Sequence, residues 1–497
     1  MTSRPTDRLT DAWRQCIGTG RANLSLRAGH QEALEKAQAE IGFRHIRGHG
    51  LLSDDMGVLR TAEWQGREVV EYSFTHLDQV IDGYLAHGLA PFLELGFMPE
   101  ALASGDETVF WWKGNITPPT SYDDWARLVT AVVEHLIDRH GIEQVSRWPI
   151  EVWNEPNLTV FWKDADQAEY FKLYEVTARA VKNLDASLQV GGPAISPGAS
   201  DWWQPFADFV AEREVPIDFL AFHAYTSGPA QHVPFGTYQT LRHPDDLLRQ
   251  FAEPTELLGG TVLEGLPQHI TEFNTSYRPD NPIHDTAYNA AYLAPTLARG
   301  GQYVDSFSYW TISDIFEETW IPTSLYHGGF GLLTHGLIPK PTYHLYAFMA
   351  RMGERILRSG DDHLVTVDDR GRIQVLAWQP VQGTGHVAPD KHRLRLELDA
   401  APGEYYLQRS RTSETEGNGR AAWLAMGSPA APDHRQMQFI RECAEARREF
   451  GRATASEGRL QLDLTLDQHE VTLLELDPVR HSPYPWNDEA RLLGEQE

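Results

Sequence analysis

From about residue 30, hydrophobic positions along the chain alternate between helical spacing and short apolar runs. HQEALEKAQAEIG (30–42) carries a helical pattern, and FRHIRGHG (43–50) reads as a strand entering a loop. VVEYSF (69–74) is strand-like, QVIDGYLAHG (79–88) helical, and LAPFLELGF (89–97) a buried strand. SYDDWARLVTAVVEHLIDRHG (121–141) predicts a strong helix: Ser121 with Asp124 forms a capping box, and Trp125, Leu128, Val132 and Leu136 share a face. PIEVWNEPN (149–157) is the next strand and loop, followed by a helix with Phe171, Tyr174, Ala178 and Val181 at helical spacing. QVGGPAI (189–195), DFLAFHAY (218–225), LPQHITEFN (266–274) and VDSFSYWTISD (304–314) complete the strands, with helices between them and a last helix at 342–353. Counted from FRHIRG, this makes eight strands. Alternating β and α segments predict a parallel sheet, and eight of them predict an α/β fold closed as a (β/α)8 TIM barrel over residues 30–354. An open doubly wound sheet is the rival, but no GxGxxG follows a strand.

After about residue 355 the period changes to two. LVTVDDRGRIQVLAW reads as a hairpin, HRLRLELD puts Leu394, Leu396 and Leu398 on one face, and RLQLDLTL repeats this with Leu460, Leu462, Leu464 and Leu466. This predicts a C-terminal antiparallel β-sandwich over 355–478. QFIRECAEARREF (438–450) is read as one inserted helix, the stretch around RSRTSETEGNGR as a loop, and 479–497 as a tail. Residues 1–29 form a leading segment, left open to joining the sandwich.

A net charge of −27, from 70 acidic and 43 basic residues, repels nucleic acid and anionic lipid. No apolar run is long enough to span a bilayer, so neither nucleic acid nor membrane is an expected partner. Cys16 and Cys443 offer no disulfide framework and no CxxC spacing, and the N-terminus has no apolar core of a secretory signal. A cytoplasmic protein is therefore expected. The oligomeric state is not legible.

Barrel chemistry sits where strands end. The FRHIRG strand ends in Arg47, His49 and Gly50, the fourth in Asn154 and Glu155, the sixth in His223 and Tyr225, the seventh in Glu272 and Asn274, and the eighth in Trp310, Asp314, Glu317 and Glu318. Glu155 and Glu272 each finish an apolar strand and would face one cup. A pair of carboxyls suits glycoside hydrolysis, in which one group gives a proton and the other attacks the sugar or activates water. Plainer roles compete at each position: a strand-end carboxylate paired with an arginine, a helix-capping Asn154, a metal held by His49 and His223, a solvated Glu317–Glu318 pair. No HxH or HExxH supports the metal.

WNEPN (153–157) and ITEFN (270–274) resemble the acid/base and nucleophile strands of clan A glycosidases. FRHIRGHGLLSDD, FHAYTS, IFEETW, GGFGLLT and WLAMGSP narrow the resemblance to glycoside hydrolase family 39, which holds β-xylosidases and α-L-iduronidases. The resemblance implies Glu155 as general acid/base and Glu272 as nucleophile. It implies Asn154 at the sugar 2-hydroxyl, His49 on the 3-hydroxyl side, Tyr225 against the nucleophile, and Glu317 and Glu318 on sugar hydroxyls. Phe161, Trp310 and one of Phe110 or Trp111 form an aromatic wall, and His223 lies near the nucleophile. No cofactor or metal is implied.

The aromatics around Glu155 strip its hydration, which raises its pKa, and a nearby ionised Glu272 raises it further. Carboxylates and aromatics dominate the strand ends, with Arg47 and Lys113 the obvious cations, so a neutral sugar is favoured over a uronic acid. The expected activity is a retaining exo-β-D-xylosidase releasing xylose from xylo-oligosaccharides, with an iduronidase or other neutral glycosidase as the alternative. A non-catalytic sugar-binding barrel is the alternative from another class.

Overall fold

Strands that are apolar on both faces need cover on both sides, and this chain supplies it with helices outside and by closing the strands on one another inside. The computed structural model describes residues 7–234, 236–480 and 489–494. Eight parallel strands close a barrel in chain order: β1 (Cys16–Arg21), β2 (His45–His49), β3 (Ala90–Leu95), β4 (Ile150–Val152), β5 (Val190–Ile195), β6 (Phe219–Tyr225), β7 (Gln268–Asn274) and β8 (Ser306–Tyr309). Eight helices surround them: α1 (Ala28–Glu40), α2 (Thr75–Ala86), α3 (Tyr122–His140), α4 (Gln167–Leu184), α5 (Trp203–Arg213), α6 (Asp245–Leu257), α7 (Ala287–Arg299) and α8 (Pro341–Met349). Ser121 caps α3 by accepting from the Asp124 amide, and Trp125, Leu128, Val132 and Leu136 are all buried.

Two strand assignments change. The first barrel strand is Cys16–Arg21, inside the segment set apart as 1–29, and 69–74 is not a barrel strand. Residues Leu59–Trp64 and Arg67–Tyr72 pair instead as an exposed hairpin, with Trp64, Val69 and Val70 in solvent. CIGTGR hides its strand character because its glycines leave room for neighbours. A Cβ on Gly18 would stand 2.3 Å from the Trp310 ring, and one on Gly20 would stand 2.5 Å from Phe316. Residues 7–9 leave the barrel and run along the edge of the C-terminal sheet, where the Ile356 amide donates to the Asp7 carbonyl at 2.7 Å.

The second layer is a curled antiparallel sheet, the C-terminal β-sandwich. Its strands are β9 (Arg355–Ser359), β10 (His363–Val367), β11 (Ile373–Trp378), β12 (Lys391–Asp399), β13 (Gly403–Thr412), β14 (Arg447–Ser456), β15 (Arg459–Asp467) and β16 (Val471–Pro478), in spatial order 9-10-11-16-13-14-15-12. β14 and β15 pair only near their turn, so β15 and β12 fold back. Their leucines, among them Leu394, Leu396, Leu460 and Leu462, pack on Val365, Val375, Leu474 and Leu476.

Two helices, α9 (Gly419–Ala425) and α10 (His434–Ala444), replace the single helix read at 438–450. An Asp433–Gln436 capping box starts α10. Helix α10 stops at Ala444 because the period-two run from Arg447 becomes β14. The polar RSRT stretch is strand too: it ends β13, paired with β16. Of the tail, Glu489–Leu493 forms a short helix, while 481–488 and 495–497 lie outside the described residues. No helix among the described residues is long and apolar enough to cross a membrane.

One buried ion cluster pins the loop after β8. Lys340 Nζ lies 2.6 Å from Asp285 Oδ1, 2.7 Å from Asp314 Oδ2, and donates to the Gly329 carbonyl at 2.8 Å. The other oxygens of the two aspartates accept from the Gly328 and Gly331 amides. Lys340→Met should lower unfolding free energy in urea by about 3 kcal/mol or more, because two buried carboxylates lose their cation. Adding Asp285→Asn and Asp314→Asn should recover part of that loss.

Candidate active site

The loop after β4 is built to hold one carboxyl still. Trp153 is fully buried against Phe97 and Trp162, and its indole N–H donates to the Phe161 carbonyl at 2.8 Å. Asn157 ties the loop to β5 through Ser196 at 2.8 and 2.9 Å. Glu155 itself sits at φ +42°, a left-handed conformation uncommon for a residue with a Cβ. Backbone strain of this kind persists only where the surroundings over-determine it.

Glu272, from β7, meets Glu155 across the barrel mouth. One carboxyl oxygen of each and a ring nitrogen of His223 all lie within 4.8 Å of one another. Glu272 Oε1 accepts from Arg47 Nη1 at 2.7 Å and Oε2 from the Tyr225 hydroxyl at 2.8 Å. These donors suit a carboxylate acting as an anion. Arg47 is wholly buried and also donates to Glu151 at 2.6 Å and to Asn154 Oδ1 at 2.9 Å, and it pairs with Glu94 at 2.9 Å. It therefore orients the carboxyl from β7, the amide beside Glu155, and two deeper glutamates at once.

Protons are unevenly shared in this cluster. Burial pushes the Glu155 carboxyl up to about 7; the Glu94 charge adds to this, and His49 and Arg47 oppose it. Burial likewise lifts Glu151 to about 7 and Glu318 to about 8, the latter helped by the charge on Glu272. Burial works against charge at Glu94 too, yet His49 and Arg47 hold its carboxyl below the usual range. His49 shows the converse: burial opposes its protonation, but Glu94, 2.7 Å from Nδ1, and Glu272 raise it above an ordinary imidazole. Burial drives His223 down to about 3, so its ring is neutral. His223 Nδ1 lies 2.8 Å from Glu155 Oε1, and its Nε2 has no hydrogen-bond partner among the described residues.

The two carboxyls open into a cavity of about 770 Å³ lined by His49, Phe110, Trp111, Glu155, Phe161, Tyr225, Glu272, Trp310 and Glu318, among others. Phe110 and Trp111 both line it. Phe110 lies 5.9 Å from His49 and 5.6 Å from Phe161, while Trp111 stands further out. Trp310 covers His49 at 4.6 Å, and its indole N–H reaches Glu318 at 3.3 Å. Asn154 is buried behind this surface, on Arg47.

One placement differs from expectation. Glu317 does not line the cavity; its carboxyl pairs with Arg27 and lies 3.6 Å from Arg21, anchoring the loop from below. His223 sits nearer Glu155 than Glu272, 2.8 against 3.7 Å, and lines a separate cavity of about 350 Å³ behind the loop. Among the described residues, Glu155, His223 and Glu272 are the one cluster of three potential metal ligands. Arg47, Tyr225 and the Glu155–His223 contact already engage these atoms.

A strained, buried carboxyl beside a second carboxyl held by Arg47 and Tyr225, at the strand ends of a parallel barrel, is a glycosidase geometry. The profile of Glycosyl hydrolases family 39 matches residues 1–461. The chain belongs to glycoside hydrolase family 39. It is 46% identical over 483 residues to a β-xylosidase of Geobacillus stearothermophilus, covering 97% of this chain and 95% of that protein. It is 36% identical over 480 residues to a β-xylosidase of Caldicellulosiruptor saccharolyticus, covering 93% and 95%. The solved monomeric β-xylosidase of Caulobacter crescentus matches with a TM-score of 0.87 at 33% identity, covering 96% of this chain and 98% of that one.

Sequence reasoning missed several residues of this family 39 site. Glu94 and Glu151 left a signal: each is a lone charge inside an apolar strand, which calls for a buried partner. Arg242 and Arg278, which line the outer cavity, left none, because they sit in polar loops, while Trp320 closes the IFEETW motif without being singled out. The pH profile checks the protonation pattern. A Glu155 carboxyl that gives its proton to a leaving group does so below about pH 7, so on that role kcat/KM for a substrate with a poor leaving group should fall as pH rises through about 7. Glu155→Gln should remove that limb. Tyr225→Phe should cost about tenfold to a hundredfold in kcat/KM, the loss of one charge-assisted hydrogen bond.

Proposed function

We propose that this family 39 enzyme is a retaining, exo-acting β-D-xylosidase that releases xylose from the non-reducing end of xylo-oligosaccharides. The observation that carries the reading is the approach of the Glu155 and Glu272 carboxyl oxygens to within 4.8 Å. Retaining glycosidases hold the two carboxyl groups close, ~5–5.5 Å apart, and so near an approach of single oxygens favours that arrangement over the ~6.5–9.5 Å of inverting enzymes. The three similar proteins named above, each called a β-xylosidase, support the substrate.

In the first half-reaction Glu272 attacks the anomeric carbon, and Glu155 gives its proton to the departing oxygen. A glycosyl ester forms on Glu272, and Glu155 is left ionised. Esterification discharges Glu272, which favours the anionic form of Glu155. Glu155 then takes a proton from water as that water attacks the same carbon. Xylose leaves, Glu272 is freed, and Glu155 is protonated as at the start. Arg47 and Tyr225 hold the attacking carboxylate in line. Asn154, fixed by Arg47, is assigned the 2-hydroxyl, while His49 and Glu318 take the remaining hydroxyls of a sugar walled by Phe110, Phe161 and Trp310.

The deep cation is fully engaged: Arg47 carries Glu94, Glu151 and Glu272, so it offers no clamp for a uronate. Arg242 and Arg278 also line the cavity, but each pairs with an aspartate, Asp246 and Asp280. A neutral glycone follows. The cytoplasmic assignment rests on two cysteines that remain free thiols.

Glu272→Ala should lower kcat on aryl β-xylosides by several orders of magnitude. Glu155→Ala should retain much more activity on dinitrophenyl xyloside than on xylobiose, and azide should rescue it as β-xylosyl azide. Product of inverted configuration, or full activity in either variant, would refute the mechanism. Cleavage of iduronide with no cleavage of xyloside would refute the substrate.

A further inference from the structure

The cavity changes character from floor to mouth. His49, Glu272 and Trp310 are buried at its floor, 2%, 5% and 1% exposed. At its mouth stand Trp111 and Trp320, 38% and 67% exposed, on the loops after β3 and β8. Their rings meet edge to face, 5.9 Å apart at 87°, so they form a corner of two perpendicular aromatic faces. Each lies just outward in sequence from a floor residue: Trp111 follows Phe110, and Trp320 stands two beyond Glu318. Packed on each other, the two rings still leave much of their surface to solvent, and a paired exposed aromatic surface at a cavity rim marks a binding surface. Arg242 and Arg278 also line the cavity, with Val160 and Tyr277, 51% and 43% exposed.

We infer that Trp111 and Trp320 form a leaving-group platform, a subsite that takes the flat apolar face of the ring attached to the scissile oxygen. The inference rests on the exo-acting reading given above: with the glycone at the closed floor, only the leaving group passes the mouth. That ring is either a second xylosyl unit or an aryl alcohol. A xylosyl unit lays one face on the tryptophans and turns its hydroxyls toward Arg278. An aryl group uses the tryptophans alone.

The test compares kcat/KM for three substrates in wild type, Trp320→Ala, Trp111→Ala and Arg278→Ala. They are β-xylosyl fluoride, whose leaving group is one atom, naphthyl β-xyloside and xylobiose. Each tryptophan variant should lose about tenfold or more on naphthyl xyloside and xylobiose relative to its loss on the fluoride. Arg278→Ala should lose selectively on xylobiose if a xylosyl unit is the occupant, and on neither ring-bearing substrate if the site serves aryl alcohols. Hydrolysis of the glycosyl-enzyme should be unaffected relative to its formation, because the leaving group has gone by then. Equal losses on all three substrates would show a structural role and overturn the platform, as would no loss on any. Failure of the wild type to cleave β-xylosyl fluoride would instead count against the xylosidase reading, and the comparison would then use the glycosyl fluoride the enzyme does cleave.

Discussion

A single buried guanidinium organises this active site. Arg47 faces Glu94, Glu151 and Glu272 and holds Asn154 by its carbonyl. Five carboxyls, those of Glu94, Glu151, Glu155, Glu272 and Glu318, crowd a space whose positive charge comes from Arg47 and His49. They cannot all ionise there, since an unpaired charge in a dry interior is costly. His49 and Arg47 hold Glu94 below the usual carboxylate range, while Arg47 and the Tyr225 hydroxyl engage both oxygens of Glu272. Burial outweighs the neighbouring cations at Glu151 and Glu155, lifted to about 7, and at Glu318, lifted to about 8. Where one arginine reaches thus sets the surroundings of Glu272 and of the amide beside Glu155 together.

Most of the barrel was legible because its strands are apolar on both faces and its helices carry clean stripes. Reading failed where a strand gave up side chains for its neighbours. Gly18 and Gly20 thin out β1 so that Trp310 and Phe316 can pack over it, which erases the hydrophobic signal. The hairpin at 59–72 erred the other way, since Val69 and Val70 are β-formers spent on an exposed ribbon. In the site, the motif residues Glu155 and Glu272 were readable from their strand ends. The side on which a residue faces was not: Glu317 and Glu318 are adjacent, yet one turns to Arg27 and the other to the cavity. Local sequence does not encode that choice, because the partner lies on β1 and its following loop.

The loop after β8 gathers these effects. It carries Glu317 and Glu318, supplies Trp320 to the mouth, and is pinned below by Lys340. It is held by ions on the inside and left apolar on the outside. Such a segment holds a carboxyl still at the cavity while its outer edge faces solvent.

The same loop has a second anchor outside the barrel. Leu325, Tyr326 and Ile338 pack on Trp423, Ile440 and Ala444 of the helices inserted in the accessory sheet, and His344 of α8 bonds the Ala444 carbonyl at 2.7 Å. The sheet is therefore a buttress for the wall of the catalytic cup, and the catalytic half is not a portable part. A protein engineer wishing to graft new specificity onto this scaffold would have to carry both halves, because severing them strips the cup of one of its supports.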